Sequence, residues 1–424
     1  MLHTAIAIQF PRRVLPGFGR NILLVLLLTV RFGVAAQKQH KAIFVIADGI
    51  PADVIERMNL PHLKAISRMG GYTRAYVGGE KSGYSETPTI SAVGYNSLLT
   101  GTWVHKHNVV DNDIAAPNYN YWNIFRFLKT QYPKKKTAVF STWLDNRTKL
   151  VGSEAAAAGN LQPDYYFDGL ELDTLQYPHD TAGYFYKLID DAVTDTASAV
   201  IRRHAPDLSW VYLEYTDEMG HRHGNGSYMD DAVRIMDQQI GRLWEAIQYR
   251  QQHFNEEWQI YITTDHGREE NGYHHGGQGE RERSTWIITN ARGLNNYFFN
   301  GNPGIVDIMP AIAAFLNLQF PTAQRWEIDG VSITGKLSGT DLKEASTSSK
   351  LILTWKVQDP AGMATVWIAT TNDFPTGGKD EYTIIKKAPV KQGRVELDLK
   401  TLPAHFYKVV VDMPYNSLNR WVRL

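Results

Sequence analysis

Four separated segments of this 424-residue chain carry side chains suited to hard and borderline cations. They are Asp48 in IADG, Asp217 with His221 in YTDEMGHRHG, Asp265-His266 in TTDHGR, and His275 in YHHGGQ. A lone Asp-His or His-His pair carries little information, but six such groups, each placed just beyond a short apolar run, form a pattern. The chain has no cysteine, so any metal must rest on carboxylate and imidazole, a donor set that suits zinc or manganese. Two divalent ions would bring four positive charges against three from the aspartates. The excess favours a phosphate or sulfate ester, and two ions about 4 Å apart can brace the entering and leaving oxygens of an in-line displacement. Without a cation the same carboxylates would repel one another.

Such chemistry also needs a nucleophile. Pro88-Thr89-Ile90-Ser91 leads into a helix-compatible stretch, 92–99, ended by Gly101. Ser91 therefore stands at a helix N-terminus, where free N–H groups and the helix dipole favour an anion. Locally, the ordinary reading of such a serine is a helix cap. His105, His107, His223 and His274 read as structural or surface histidines, and 281–283 as a solvated basic loop. Tyr84, Trp103, Tyr119, Tyr121 and Trp122 read as packing aromatics that could reach a pocket.

The elements that must position these groups follow from hydrophobic patterning. Apolar runs at 41–47, 137–141, 210–215, 258–263 and 285–289 read as buried parallel strands. Val233, Met236, Ile240, Leu243 and Ile247 step by three and four and predict one helix; another is expected over 308–316 with Asp307 as its N-cap. In an open parallel sheet the functional edge lies at the carboxyl ends of the strands, so the four segments can converge there.

The flanks have a different character. Arg12, Arg13 and Arg20 precede an apolar run, 22–30, that ends in Gly33-Val34-Ala35-Ala36. This describes a secretory signal peptide over 1–36, giving an exported protein, periplasmic or extracellular, without a membrane span once the signal is removed. A catalytic domain is expected over 37–336. Residues 337–350, rich in Ser, Thr, Gly and charge, read as a linker. Five short alternating segments at 351–357, 364–369, 382–387, 394–399 and 407–412 predict a small C-terminal β-sandwich over 351–424, resembling fibronectin type III modules. Its expected roles are packing or surface attachment, with carbohydrate contact as the sharper reading. Lysine plus arginine and aspartate plus glutamate each number 44, so no global field draws nucleic acid or anionic membrane, and a small phosphoester is the expected partner.

Taken together, residues 41–335 resemble the type I phosphodiesterase/nucleotide pyrophosphatase branch of the alkaline phosphatase superfamily. The motifs occur in the family's order: Asp48-Gly49 after the first strand, Pro88-Thr89-Ile90-Ser91, Leu98-Leu99-Thr100-Gly101, Val110-Asp111-Asn112, Asp217 to His221, Asp265-His266-Gly267, and His275. The resemblance implies an alkaline phosphatase-like α/β fold, with a mostly parallel sheet sandwiched by helices. It replaces the capping reading of Ser91 with that of the nucleophile, which forms a phosphoseryl intermediate. It assigns Asp48, Ser91, Asp265 and His266 to one divalent ion and Asp217, His221 and His275 to the other, zinc first and manganese second. Asn112 and the Ala92 backbone N–H are implied to hold nonbridging phosphate oxygens.

The chain departs from the branch in three places: Ser replaces the usual Thr nucleophile, Ala92 stands where nucleotide-cleaving relatives carry Phe, and the interval from His266 to His275 is short. The last two weaken the inference to nucleotides and leave phosphoester hydrolysis intact. A phosphomonoesterase or a phosphonate hydrolase on the same frame is the alternative. No arginine is identifiable by position as a phosphate clamp, and Ser91 lacks the C/S-x-P-x-R context of sulfatases. A non-catalytic binding protein is the reading from a different class, but all six ligand positions are filled.

Overall fold

The computed structural model describes residues 37–402 and 404–424; the signal-peptide reading of 1–36 lies outside the described residues. Among these residues, no helix is long and apolar enough to cross a membrane.

The apolar runs become strands of one seven-stranded sheet. They are β1 (Gln39–Ala47), β2 (Gly71–Tyr76), β3 (Thr137–Ser141), β4 (Tyr165–Phe167), β5 (Leu208–Leu213), β6 (Glu256–Thr263) and β7 (Ser284–Thr289), in the order β2-β7-β6-β1-β5-β3-β4. β1 lies at the centre, parallel to both β5 and β6, and β3 is parallel to β5 and β4. Ala42 to Ala47 are fully buried because helices cover both faces, which explains a continuous apolar run where a one-sided strand would alternate. On one face lie the helices Tyr184–His204 and Ser227–His253, the latter presenting the predicted stripe of Val233, Met236, Ile240, Leu243 and Ile247. The helices Ser91–Thr100 and Ile308–Phe315 pack on the other.

Three expectations are corrected here. The run at 285–289 is antiparallel to β6, not parallel; the connection 264–283 carries Asp265, His266 and His275 and forms no crossover helix, so the chain returns directly beside β6. The strand expected over 210–215 ends at Leu213, because Tyr215 already opens the helix Tyr215–His223. Asp307 stands at the expected N-cap position, but its side chain makes no capping bond to the helix. Its carboxylate instead accepts from Gly304 N at 2.7 Å and Val331 N at 2.6 Å, holding two loops together.

The C-terminal part forms two antiparallel sheets. One is β11-β10-β13-β14, from Thr383–Pro389, Met363–Ala369, Phe406–Asp412 and Ser417–Arg423. The other is β12-β9-β8, from Arg394–Asp398, Lys350–Val357 and Gly339–Ser346. Their inward residues, among them Leu353, Trp355, Val366, Val395, Val409 and Val422, form the core of a small sandwich. The expected linker is overturned in part, since 339–346 is strand β8, paired with β9. Its Ser, Thr and charged residues suit an edge strand with one wet face, and buried Thr340 and Leu342 anchor the other.

Candidate active site

The topology brings the expected segments to one edge. Asp48 follows β1, Asp217 and His221 lie on the helix that follows β5, and Asp265-His266 follow β6, so three adjacent central strands deliver ligands at their carboxyl ends. Ser91 enters from the helix Ser91–Thr100, whose N-cap is Ile90 and not Ser91, so the serine hydroxyl is not consumed in capping. Gly94, one turn on, permits the approach: a Cβ there would lie 2.6 Å from the carbonyl oxygen of Asp265.

His266 is the hub. Its Nε2 stands 3.3 Å from Asp48 Oδ1, 3.2 Å from Asp265 Oδ2 and 3.3 Å from Ser91 Oγ. Those carboxylate oxygens are buried with no hydrogen-bond partner, although unpaired carboxylate oxygens are costly inside a protein. His266 Nδ1 donates to Gly267 O at 2.8 Å, which leaves Nε2 with its lone pair free for a cation. Asp48 Oδ2, by contrast, is fully engaged, accepting from Tyr212 Oη at 2.7 Å and from the Tyr95 hydroxyl.

The second cluster is Asp217, His221 and His275. His221 Nε2 is 3.1 Å from Asp217 Oδ2 and 3.1 Å from His275 Nε2, and His275 Nε2 is 4.0 Å from Asp217 Oδ1. His275 Nδ1 donates to Thr89 O at 2.8 Å, so the segment that delivers Ser91 also orients a ligand of the other cluster. The rings of His266 and His275 stack at 3.6 Å, joining the two clusters into one site. All six expected metal ligands and Ser91 therefore meet, and among the described residues two overlapping sets are placed to hold a metal ion: Asp217 with His221 and His275, and Asp48 with Asp217 and His266.

Electrostatics points the same way. Burial, and then the charge of Asp217, pushes Asp48 up to about 7, against the two tyrosine hydroxyls. Burial and the neighbouring Asp48 and Asp217 push Asp265 well above the carboxylate range. For Asp217, burial is outweighed by Arg268 and His221, which hold it well below that range. Burial lowers His266 and His275, which favours the neutral form in which imidazole binds metal, whereas the hydrogen bond to Asp217 raises His221.

Asn112 stands at the exposed rim of this site, with its Oδ1 accepting from Ala92 N at 3.0 Å. The two groups expected to hold phosphate oxygens thus bind each other, which corrects the reading of the Ala92 N–H as a free donor. The basic loop 281–283 is also not a solvated one. Arg283 donates to Gly78 O and Gly79 O at 3.0 and 2.7 Å, and buried Glu282 closes the turn after His275 by accepting from Gly277 N at 2.7 Å. His107 is a buried core group and His223 stacks on Tyr228. Tyr84 and Trp103 line a separate 750 Å³ cleft that shares no residue with this site.

The patterning did not identify Tyr95, Tyr212, Thr89 or Arg268 as site residues. Tyr95 had a usable signal, since it is four residues beyond Ser91 on the same helical face. Arg268 follows the DHG motif directly and is 1 % exposed.

Residues 42–281, more than half of the chain, match the type I phosphodiesterase / nucleotide pyrophosphatase family, and the chain belongs to it. This family lies within the alkaline phosphatase superfamily. Among curated relatives, the chain is 25 % identical over 247 residues to ectonucleotide pyrophosphatase/phosphodiesterase family member 7 of Rattus norvegicus, covering 55 % of this chain and 51 % of the relative. It is 24 % identical over 246 residues to venom phosphodiesterase 2 of Crotalus adamanteus, covering 56 % of this chain and 28 % of the relative. The chain thus spans about half the length of the first relative and less of the second. In structure it is similar to a 2-O GAG sulfatase, with a TM-score of 0.50 and 10 % identity over 87 % of this chain and 86 % of that one. That likeness concerns the fold alone.

Proposed function

We propose that this protein is an exported two-metal phosphodiesterase that works through a phosphoseryl intermediate on Ser91. Membership of the phosphodiesterase family supports the reaction class. The observation that carries the reading is the convergence of Ser91 Oγ and the unpartnered oxygens of Asp48 and Asp265 on His266 Nε2, all at 3.2 to 3.3 Å.

Asp48, Ser91, Asp265 and His266 would hold one ion and Asp217, His221 and His275 the other, zinc being favoured by the nitrogen and oxygen donors, with manganese second. When bound, the ions supply Lewis acidity that activates hydroxyl and water and offsets charge on the transferring phosphoryl group. The chain's own groups do the rest. Ser91 attacks phosphorus, forming its O–P bond as the ester P–O bond breaks; water then cleaves the seryl O–P bond and restores the hydroxyl. Asn112, its Oδ1 fixed by Ala92 N, presents its amide N–H groups to a nonbridging oxygen. Tyr95 and Tyr212 keep the Asp48 carboxylate from rotating. Export rests on the basic and apolar N-terminal pattern, and the 351–424 sandwich remains a candidate carbohydrate or surface contact.

The test is to load the purified protein with zinc and compare a chromogenic phosphodiester with its monoester, using Ser91→Ala as the control. Dominant diester cleavage, abolished in the variant, is expected. Dominant monoester cleavage would keep Ser91 but assign the protein to phosphatase chemistry.

A further inference from the structure

Arg268 lies beside both ligand clusters, and every one of its N–H groups is taken by the protein. Nε donates to Gly49 O at 2.9 Å. Nη1 donates to Gly272 O at 3.3 Å and Tyr273 O at 3.1 Å. Nη2 donates to Asp217 O at 2.7 Å and also pairs with Asp217 Oδ1. A guanidinium has five N–H donors, so none is left for a substrate oxygen. The acceptors come from three segments: the turn after Asp48, the start of the helix bearing Asp217 and His221, and the loop that ends at His275.

The surroundings are shaped for this side chain. A Cβ on Gly220 would lie 2.3 Å from both Cζ and Nε of Arg268, and one on Gly49 would lie 2.9 Å from Nη2. Two glycines thus open the slot in which the guanidinium lies. A buried arginine with complete hydrogen bonding in a slot of this kind is a fixed strut, not a mobile clamp.

We propose that Arg268 is a positioning residue for the Asp217, His221 and His275 half of the metal centre, acting through Asp217 and never on the substrate. By pairing with Oδ1, the guanidinium fixes the rotation of the carboxylate and so holds Oδ2 where it stands, 3.1 Å from His221 Nε2. By tying the loop 272–273 to the turn at Gly49, it also sets the distance of His275 from that oxygen. Lysine has three donors on a single atom and cannot span these segments. The inference rests on the reading of these residues as metal ligands.

The experiment measures zinc stoichiometry and stepwise affinity by chelator competition in wild type, Arg268→Lys and Arg268→Met, alongside kcat, KM and the circular dichroism melt of each metal-free protein. Wild type binding two ions establishes the centre; wild type binding none would defeat the metal reading itself, a distinct failure. Groups that orient a ligand typically contribute 10- to 100-fold to metal affinity. At least a tenfold weaker second ion is therefore expected in both variants, with the first ion unchanged, kcat reduced and KM little altered. Four results would each overturn the proposal: two ions at wild-type affinity in both variants; equal weakening of both ions; full rescue by lysine, which would reduce the role to charge; or a rise in KM with kcat intact. If both variants melt out when metal-free, Arg268 is a stability strut alone, and the proposal is likewise overturned.

Discussion

The backbone N–H of Ala92 donates to the Oδ1 atom of Asn112 across 3.0 Å, so one residue of the helix that carries Ser91 orients the side chain proposed to hold a phosphate oxygen. Asn112→Ala removes the amide N–H donor, and a loss of about 10²- to 10³-fold in kcat is expected, the usual effect of deleting an oxyanion donor. Asn112→Asp keeps the contact with Ala92 but replaces the donor by a negative charge. It should be at least as impaired in steady-state kinetics, and an active aspartate variant would rule out the donor role.

Tyr95 and Tyr212 both donate to Asp48 Oδ2, leaving Oδ1 for the centre. Tyr95→Phe should weaken zinc binding by about tenfold, and the double phenylalanine variant by more, since outer hydrogen bonds orient a ligand. Chelator competition measures this. Unchanged affinity in the double variant would mean that burial alone fixes the carboxylate.

Asp48 and Asp265 are buried beside partly buried Asp217, and burial together with their mutual repulsion raises the first two, a cost that a bound cation would relieve. Metal removal with a chelator should therefore lower the thermal midpoint, and zinc should restore it. At free zinc 100-fold above Kd the stabilisation is about 2.7 kcal/mol. Calorimetry with and without chelator gives the answer, and identical melts would count against a metal centre.

Gly94→Ala tests how closely the serine helix must approach the Asp265 loop. The added methyl would stand 2.6 Å from Asp265 O and 2.9 Å from Asp265 Cβ, both attached to backbone that cannot swing aside. Overpacking of this kind costs about 1–3 kcal/mol. Activity should fall further than stability, because Ser91 moves with its helix; urea titration and kcat read the two effects separately.

His107 gives a pH dependence unconnected with catalysis. It is fully buried, accepts from Val109 N at Nδ1 over 3.1 Å, and meets Ser97 Oγ through Nε2 at 3.1 Å. Burial, and then His105, lowers it from 6.5 to about 3. Because the folded value lies below the unfolded one, its contribution is complete above pH 6.5 and is lost as pH falls toward 3. The slope is about 1.4 kcal/mol per unit of pH. His107→Phe removes the titration, so the urea midpoint of that variant should fall less between pH 7 and pH 4 than that of wild type.

The candidate ligands Asp48, Asp217, Asp265 and His266 were legible because each follows closely on an apolar run of strand character, whereas His275 lies in the loop between β6 and β7 and was legible from its motif. A polar, metal-competent residue at the end of a buried strand has few structural uses. Tyr95, Tyr212 and Arg268 were less legible because their roles depend on what lies across the site: a tyrosine in a buried helix reads as core until its hydroxyl is seen on Asp48. β2 and β14 were missed for a related reason. In GYTRAY and SLNRWVR only a few side chains are buried, so the alternation that marks a half-buried strand is weak. The antiparallel direction of β7 depends on the path of the connection 264–283 and leaves no mark in its apolar run.

The central place of β1 has a consequence for how the protein comes into being. The first strand among the described residues finds its partners only when Leu208 and Glu256 have been made, so the heart of the sheet closes late. Contacts this distant in sequence slow folding. Until then the six-residue apolar run Ala42–Ala47 stays unpaired, open to association with other chains. Vectorial synthesis thus creates a period in which a holdase chaperone, or passage through a membrane channel before folding, would protect the nascent chain from aggregation.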